Sequence, residues 1–342
     1  MQYKNKLYID GKWLDGNSGV TFDVINPASE EVITKVASAE VEDAKKAINA
    51  AEIAFESWAK VSPRDKSVIL RKAYELFMDK IEHFAELITL ENGKAYGDAK
   101  GEALYSAEFF RWYSEEAVRG IGQISNAPAT GARIVVQYKP IGISVLITPW
   151  NYPAAMGTRK IAPAIAAGCP VIIKPASDTP LTMLELMPLL EEAGVPKGLV
   201  SVLPSRNTSK LVDHLLHDNR VRLVSFTGST EVGRKLLKVA SDQVLKTSME
   251  LGGNAPLIVF DDADMETAVE GCMVAKMRNL GEACTAANRI YVHENIAEEF
   301  KDKFSKRMGS LKVGNGLDKS VDVGPLVNAE TRDKVAYFVN DA

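Results

Sequence analysis

Residues 279–289, NLGEACTAANR, place Cys284 among polar and small side chains rather than on an apolar face. This setting favours a reactive thiol, because structural cysteines are usually buried in apolar surroundings. Cys169, in AIAAGCPVII, and Cys272, in a stretch with helical spacing, fit the structural role instead. No histidine is placed to form a His-Cys pair. The first hypothesis is therefore a thiol nucleophile that works without a histidine base.

Two more residues have side chains suited to the same chemistry. Asn151 stands between prolines in TPWNYP, and a rigid loop of this kind suits an amide that points its N–H at developing negative charge. Glu250 precedes the double glycine of MELGGNAP, where a carboxylate could act as a general base. Taken singly, each also fits an ordinary loop residue.

A phosphate-binding turn is indicated by SFTGSTEVGRK, in which Gly228 and Ser229 follow a strand and precede a helix. The free N–H groups at a helix N-terminus attract anions. This turn is not the GxGxxG motif, so an ordinary strand-to-helix turn remains the alternative. Lys174 ends the apolar run PVIIK, where a cation could contact a ribose or a phosphate or simply lie on the surface.

The elements that must position these residues are clearest after residue 140. Short apolar runs, ISVLI, PVIIK, LVSVL and VRLVS, alternate with segments of helical spacing. This alternation predicts an α/β fold with a doubly wound parallel sheet. Ligands on such sheets bind beyond the carboxyl ends of the strands. Residues 150–151, 174–177 and 227–230 occupy these ends.

The first 140 residues have a different pattern. YIDGKW and VINPASEEVITKV predict short antiparallel strands. Ser62, Pro63 and Asp65 form a helix start, and one long helix is predicted from there to the Asn92-Gly93 stop. Residues 123–140 predict a protruding hairpin that could serve as an assembly arm.

The composition excludes several classes of protein. The chain has 342 residues, of which 46% are hydrophobic and 25% charged, enough for two domains. A net charge of -4 disfavours nucleic acid as a partner. The longest apolar stretch, residues 161–173, contains two prolines and is shorter than the roughly 20 residues of a membrane span. The three cysteines form no CxxC, which argues against a disulfide framework or a metal site. We expect a cytoplasmic protein.

TPWNYP, KPAS, FTGSTEVG, MELGGNAP and GEACTAANR, in this order and at these separations, resemble the aldehyde dehydrogenase superfamily along the whole chain. The resemblance implies that Cys284 is the nucleophile, that Asn151 donates to the oxyanion and that Glu250 activates water. It implies no metal and an NAD(P) cofactor. The cofactor-binding residues that it implies are Ile147, Thr148, Pro149, Trp150, Lys174, Ser177, Gly228, Ser229 and Leu251.

The resemblance also suggests a substrate and a cofactor preference. Arg159 and Arg278 stand where family members that act on succinate semialdehyde keep arginines for the distal carboxylate, although each also fits a surface or helix-terminal arginine. Ser177 stands where members that favour NAD tend to place a glutamate, so we expect NADP to be preferred, with NAD possible as well. Another small aldehyde remains an alternative substrate.

The resemblance divides the chain into a cofactor-binding domain (1–122 and 141–245), an oligomerisation hairpin (123–140) and the first portion of an α/β catalytic domain (246–342). Family members continue beyond the position of Ala342 and include a Glu-x-Phe motif that is missing here. We therefore expect a C-terminally truncated chain, with a homodimer or homotetramer as the full-length assembly. A catalytically inactive cofactor-binding or structural remnant is the alternative.

Overall fold

The computed structural model describes residues 3–129 and 131–341 of the chain. Its strands are β1 (Leu7–Ile9), β2 (Lys12–Leu14), β3 (Thr21–Ile25), β4 (Val32–Ala37), β5 (Gln123–Asn126), β6 (Arg133–Val136), β7 (Ile143–Ile147), β8 (Val171–Lys174), β9 (Val200–Val202), β10 (Val221–Gly228), β11 (Lys246–Leu251), β12 (Ala255–Val259) and β13 (Ala287–Val292). Its helices are α1 (Val41–Trp58), α2 (Pro63–Met78), α3 (Ile81–Asn92), α4 (Tyr96–Glu116), α5 (Ala155–Ala167), α6 (Leu181–Ala193), α7 (Thr208–His217), α8 (Thr230–Asp242), α9 (Met265–Met277), α10 (Ala297–Gly309) and α11 (Ala329–Asp341).

A seven-stranded sheet in the order β11-β10-β7-β8-β9-β1-β2 forms the centre of the fold. The strands from β11 to β9 in this order are parallel, and β1 and β2 add an antiparallel edge. The predicted α/β class and parallel sheet are confirmed. Because the carboxyl ends of parallel strands meet at one edge, Ile147, Lys174, Gly228 and Leu251 lie along the same edge of the sheet.

Two hydrophobic clusters cover the two faces of this sheet. One packs the apolar faces of α2, α3, α4, α5 and α6, and the other packs those of α1, α7 and α8. A third, smaller cluster joins β12 and β13 to α9 and α10 and contains the fully buried Cys272. Cys169 is also buried, and Cys284 is exposed. The chemical distinction drawn between the three cysteines therefore agrees with their burial.

The prediction of one helix from Ser62 to Asn92 was wrong. Ser62 does cap α2 by accepting a hydrogen bond from the Asp65 N–H, but α2 ends at Met78 and α3 begins at Ile81. The break lets the Phe84 ring stack on the Phe77 ring, with 4.3 Å between their centroids, inside the core. This burial of aromatic surface, which no local breaker residue signals, favours the kink.

The hairpin predicted over residues 123–140 is present as an antiparallel pair, β5 and β6, and the side chains of both strands are exposed. Its apolar side chains include Ile124 and Val135. Among the described residues, no helix is both long and apolar enough to cross a membrane.

Candidate active site

Cys284 follows a short 3-10 turn, Arg278–Gly281, that leads out of α9. Three consecutive residues of this turn have positive φ: Asn279 (55°), Leu280 (58°) and Gly281 (76°). Glycine and asparagine tolerate this left-handed region, but it is unfavourable for leucine, so surrounding contacts must hold the turn. The Asn279 N–H donates to the Asp98 carboxylate over 3.0 Å, which ties the turn to α4. The strained turn presents the Cys284 thiol to solvent.

Asn151 is hydrogen-bonded to the loop that carries Cys284, residues 282–286, here called the Cys284 loop. Its side-chain Nδ2 donates to the backbone carbonyl of Glu282 over 2.6 Å. Its own backbone carbonyl accepts from Asn279 Nδ2 over 3.1 Å and from Lys94 Nζ over 2.7 Å. A side-chain amide carries two N–H groups. One of them is anchored by the Glu282 carbonyl, which fixes the orientation of the amide next to the loop of Cys284.

A buried ion pair, Lys94 and Glu102, is hydrogen-bonded to the Asn151 backbone. Lys94 Nζ and Glu102 Oε2 are 2.6 Å apart, and both side chains are inaccessible to solvent. Glu102 Oε1 accepts from the backbone N–H groups of Ala154 (2.8 Å) and Ala155 (3.2 Å), where α5 begins. Sequence reasoning missed both residues of the pair, because neither has a neighbouring signal of burial. They clamp the Asn151 loop between α4 and α5.

Removing the cation from this pair is expected to destabilise the fold. Lys94→Met leaves the buried carboxylate of Glu102 without its counter-charge, a loss that typically costs about 3 to 5 kcal/mol. Lys100→Met is the matched control, because Lys100 pairs with Glu82 on the surface and such pairs contribute about 0 to 1 kcal/mol. Urea denaturation measures both free energies of unfolding. Equal losses would show that the buried pair has no special role.

Glu250 lies near the end of β11 and is exposed. Its loop continues to Gly253, where an added Cβ would lie 3.6 Å from the Cys284 backbone carbonyl. Behind it, the buried Lys160 of α5 donates to Ser225 Oγ over 2.7 Å. Burial lowers the pKa of Lys160 to about 8, and the negative charge of Glu250 opposes this shift. The three candidate catalytic residues thus come from different elements: Asn151 is bonded to the loop of Cys284, and the segment after Glu250 approaches the same loop at Gly253.

Lys174 and Ser177, two residues that the resemblance assigned to the cofactor, lie at the carboxyl end of β8. Lys174 is buried at the end of β8; burial lowers its pKa to about 8, which Asp178 opposes and Arg206 reinforces. The Ser177 hydroxyl donates to the backbone carbonyl of Ser205 over 3.4 Å, at the end of the neighbouring strand β9. A cation and a hydroxyl therefore lie within three residues of each other at the end of β8, where doubly wound folds bind ligands.

The start of α8 fits a pyrophosphate. Gly228 ends β10, and Ser229 caps the helix by accepting from the Val232 N–H over 3.3 Å. One turn later, a Cβ on Gly233 would lie 2.5 Å from Leu251 Cδ2, so glycine lets the helix pack closely on β11 without displacing the Leu251 side chain. The remaining N–H groups of the first turn are available to an anion.

The other residues assigned to the cofactor lie at the end of β7. Ile147 and Thr148 are buried, and Pro149 and Trp150 are half-buried. The Thr148 N–H donates to the Lys174 carbonyl over 3.2 Å, which joins this loop to the end of β8.

Arg159 and Arg278 come from two different elements, α5 and the end of α9. Arg159 is half-buried on α5, with its guanidinium 5.5 Å from the centre of the Phe109 ring. Arg278 is exposed at the end of α9, and its Nη2 lies 3.5 Å from Thr285 Oγ1. Arg278 also lies near Tyr152, whose pKa is raised by burial to about 12.

Comparison with known proteins agrees with this geometry. Residues 13–342 match the aldehyde dehydrogenase family. The chain is 51% identical over 311 residues to a succinate-semialdehyde dehydrogenase of Paenarthrobacter nicotinovorans, covering 91% of this chain and 69% of that protein. It is 42% identical to a glutarate-semialdehyde dehydrogenase of Pseudomonas putida, covering 99% of this chain and 71% of that protein. The crystal structure of an E. coli NADP-dependent enzyme superposes with a TM-score of 0.97 at 41% identity, covering 99% of this chain and 70% of that one.

The chain belongs to the aldehyde dehydrogenase family. A cysteine nucleophile and a nicotinamide cofactor are general to this family.

Proposed function

We propose that the protein oxidises succinate semialdehyde to succinate, with Cys284 as nucleophile, Asn151 as oxyanion donor and Glu250 as general base. The observation that carries this proposal is the hydrogen bond from Asn151 to the Glu282 carbonyl, two residues before the exposed Cys284. Relatives named for succinate and glutarate semialdehydes support the substrate class, an aldehyde with a distal carboxylate.

The proposed mechanism starts with attack of the Cys284 thiolate on the aldehyde carbon, which turns the carbonyl oxygen into an alkoxide. The free N–H of Asn151 and the backbone N–H of Cys284 stabilise this charge, each by about 3 to 4 kcal/mol. A nicotinamide cofactor held at the ends of β7, β8 and β10 would supply the acceptor for the hydride that is lost when the alkoxide becomes a thioester. Glu250 then takes a proton from water, whose oxygen displaces the thiolate and releases the acid.

The distal carboxylate of the substrate is proposed to bind Arg159 and Arg278. Charged hydrogen bonds contribute roughly 1.5 to 3 kcal/mol each, so Arg159→Ala or Arg278→Ala should lower kcat/KM for succinate semialdehyde by about 10- to 150-fold. Butanal is the matched control substrate, because it has the same length without the charge and should be used nearly as well by both variants. Equal losses with both aldehydes would mean that the arginines support the fold instead.

A second candidate substrate is glutarate semialdehyde, the substrate named for the Pseudomonas putida relative. It is one methylene longer, and a single methylene typically changes kcat/KM by about 10- to 200-fold. The ratio of the two efficiencies in the wild-type protein decides between them. Cofactor binding without reduction by either semialdehyde would instead favour an inactive cofactor-binding remnant.

NADP is proposed as the preferred cofactor, with its 2′-phosphate beside Lys174 and Ser177. Serine offers a hydroxyl donor, whereas a glutamate in its place would repel the phosphate. Ser177→Glu should therefore lower the ratio of kcat/KM with NADP to that with NAD by about ten-fold or more, the effect of about 1.4 kcal/mol. Ser177→Ala separates loss of the hydroxyl from added repulsion and should shift the ratio less. An unchanged ratio in Ser177→Glu would contradict this placement.

The organisation of the chain is proposed on the same basis. The division expected from the sequence gives residues 1–122 and 141–245 to cofactor binding, 123–140 to oligomerisation in a homodimer or homotetramer, and 246–342 to the catalytic domain. Because β11 pairs with β10 in the large sheet, we propose to move the boundary between the two domains from residue 245 to Leu251. The proposed compartment is the cytoplasm.

A further inference from the structure

Glu282 is a half-buried acid with shielded carboxyl oxygens, and the proposed mechanism does not use its side chain. Both of its side-chain oxygens are shielded from solvent, and neither has a well-formed hydrogen bond with a described residue. The side-chain oxygens of Asn151 and Asn279 are buried without a partner in the same way. Three residues around one loop thus carry buried acceptors, and an ionised Glu282 would add no donor to them.

The charged and polar groups around Glu282 and its turn come from four segments of the chain. Lys94, after α3, is the cation that acts on it, but this ammonium already bonds Glu102 of α4 and the Asn151 carbonyl. Asp98 of α4 bonds the Asn279 N–H, and Arg278 precedes the same turn. The backbone N–H of Val327, in the segment before α11, also approaches. No free cation among these described groups is left to neutralise a carboxylate.

We propose that Glu282 is a positioning residue that acts through its neighbours: in its protonated form it holds the loop joining Asn151 to Cys284, and its ionisation suppresses the reactivity of the Cys284 thiol. The backbone carbonyl of Glu282 anchors the Asn151 amide, so a change at this residue reaches both the oxyanion donor and the nucleophile. A negative charge near a thiol also disfavours the thiolate, which is the reactive form.

Burial supports this inference by raising the pKa of Glu282 from its ordinary 4.5 to about 7, with Lys94 partly offsetting the rise. The folded chain therefore binds this proton more tightly than the unfolded chain does. The contribution to stability is complete below the ordinary value, falls as the pH rises between the two values and stays low above the folded one. Ionisation of Glu282 thus falls within the range in which enzymes of neutral compartments work.

The test is the rate at which iodoacetamide alkylates Cys284, followed by peptide mass spectrometry in the full chain and in Glu282→Gln. Glutamine has the same shape and cannot ionise. The alkylation rates of the wild type and the variant should agree at about pH 5.5. At about pH 8.5 the variant should react about 3- to 10-fold faster, and the change should be centred on the folded-state pKa of Glu282. The buried Cys169 and Cys272 are internal controls for unfolding. Glu294→Gln removes an exposed carboxylate from the turn before α10 and should match the wild type at every pH.

The thermal midpoint gives a second reading. Glu282→Gln should unfold at the wild-type temperature in acid and a few degrees higher above neutral pH. The proposal is overturned if the ratio of the alkylation rates of Glu282→Gln and the wild type does not change with pH. It is also overturned if the variant fails to fold, because glutamine mimics the protonated form that is proposed to hold the loop. This inference rests on Cys284 being the reactive thiol, but alkylation requires no aldehyde or cofactor. If Glu282→Gln shows the expected pH-dependent alkylation rate but the protein oxidises no aldehyde, the proposed function is refuted and this inference stands.

Discussion

Cys284→Ala is expected to lower kcat/KM for succinate semialdehyde by about 10⁴-fold or more, because removal of a nucleophile removes the whole covalent route. Alanine has no thiol to form the tetrahedral alkoxide. The exposed position of Cys284 means that the substitution leaves no buried cavity, so folding should be unaffected. The measurement is the initial rate of cofactor reduction, in the protein expressed from its complete gene.

Two controls separate chemistry from structure. Cofactor affinity, measured by fluorescence titration, should be unchanged in Cys284→Ala, since the proposed cofactor residues lie at the ends of β7, β8 and β10. Cys272→Ala should keep its activity, apart from the destabilisation expected of a small cavity in the cluster beneath α9. Substantial turnover by Cys284→Ala would move the nucleophile to another residue.

Glu250→Gln is expected to lower steady-state turnover by about 10²- to 10⁴-fold, the usual contribution of a general base. Hydride transfer precedes the step that uses this base. A rapid burst of reduced cofactor, equal to the concentration of active sites, should therefore remain in the variant. Stopped-flow measurement of the burst and of the slow phase that follows distinguishes loss of thioester hydrolysis from loss of the whole site.

The control for Glu250 lies on the same strand. Lys246→Gln changes an exposed charge at the start of β11, away from the Cys284 loop, and should affect neither phase. Loss of the burst in Glu250→Gln would place this carboxylate before hydride transfer. A normal steady-state rate would remove Glu250 from the mechanism.

The local sequence was sufficient for the elements whose apolar pattern agrees with their burial. The runs at β7 and β8 are buried throughout because parallel strands are covered on both faces. The single-helix prediction over α2 and α3 failed because the break at residues 79–80 is favoured by the stacking of Phe77 on Phe84, a contact that becomes possible only in the packed core.

By itself, the sequence determined the α/β class, the edge of the sheet that carries the site, the different character of Cys284 from Cys169 and Cys272, and the family. These features depend on residue type and spacing within a short window. Tertiary structure alone decided how the site is held. The Lys94–Glu102 pair, the positive-φ turn before Cys284 and the buried carboxyl of Glu282 arise when α4, α5 and the loop after α9 come together. Burial sets the protonation state of such groups and the strength of their electrostatic interactions, and burial arises only when the whole chain has folded.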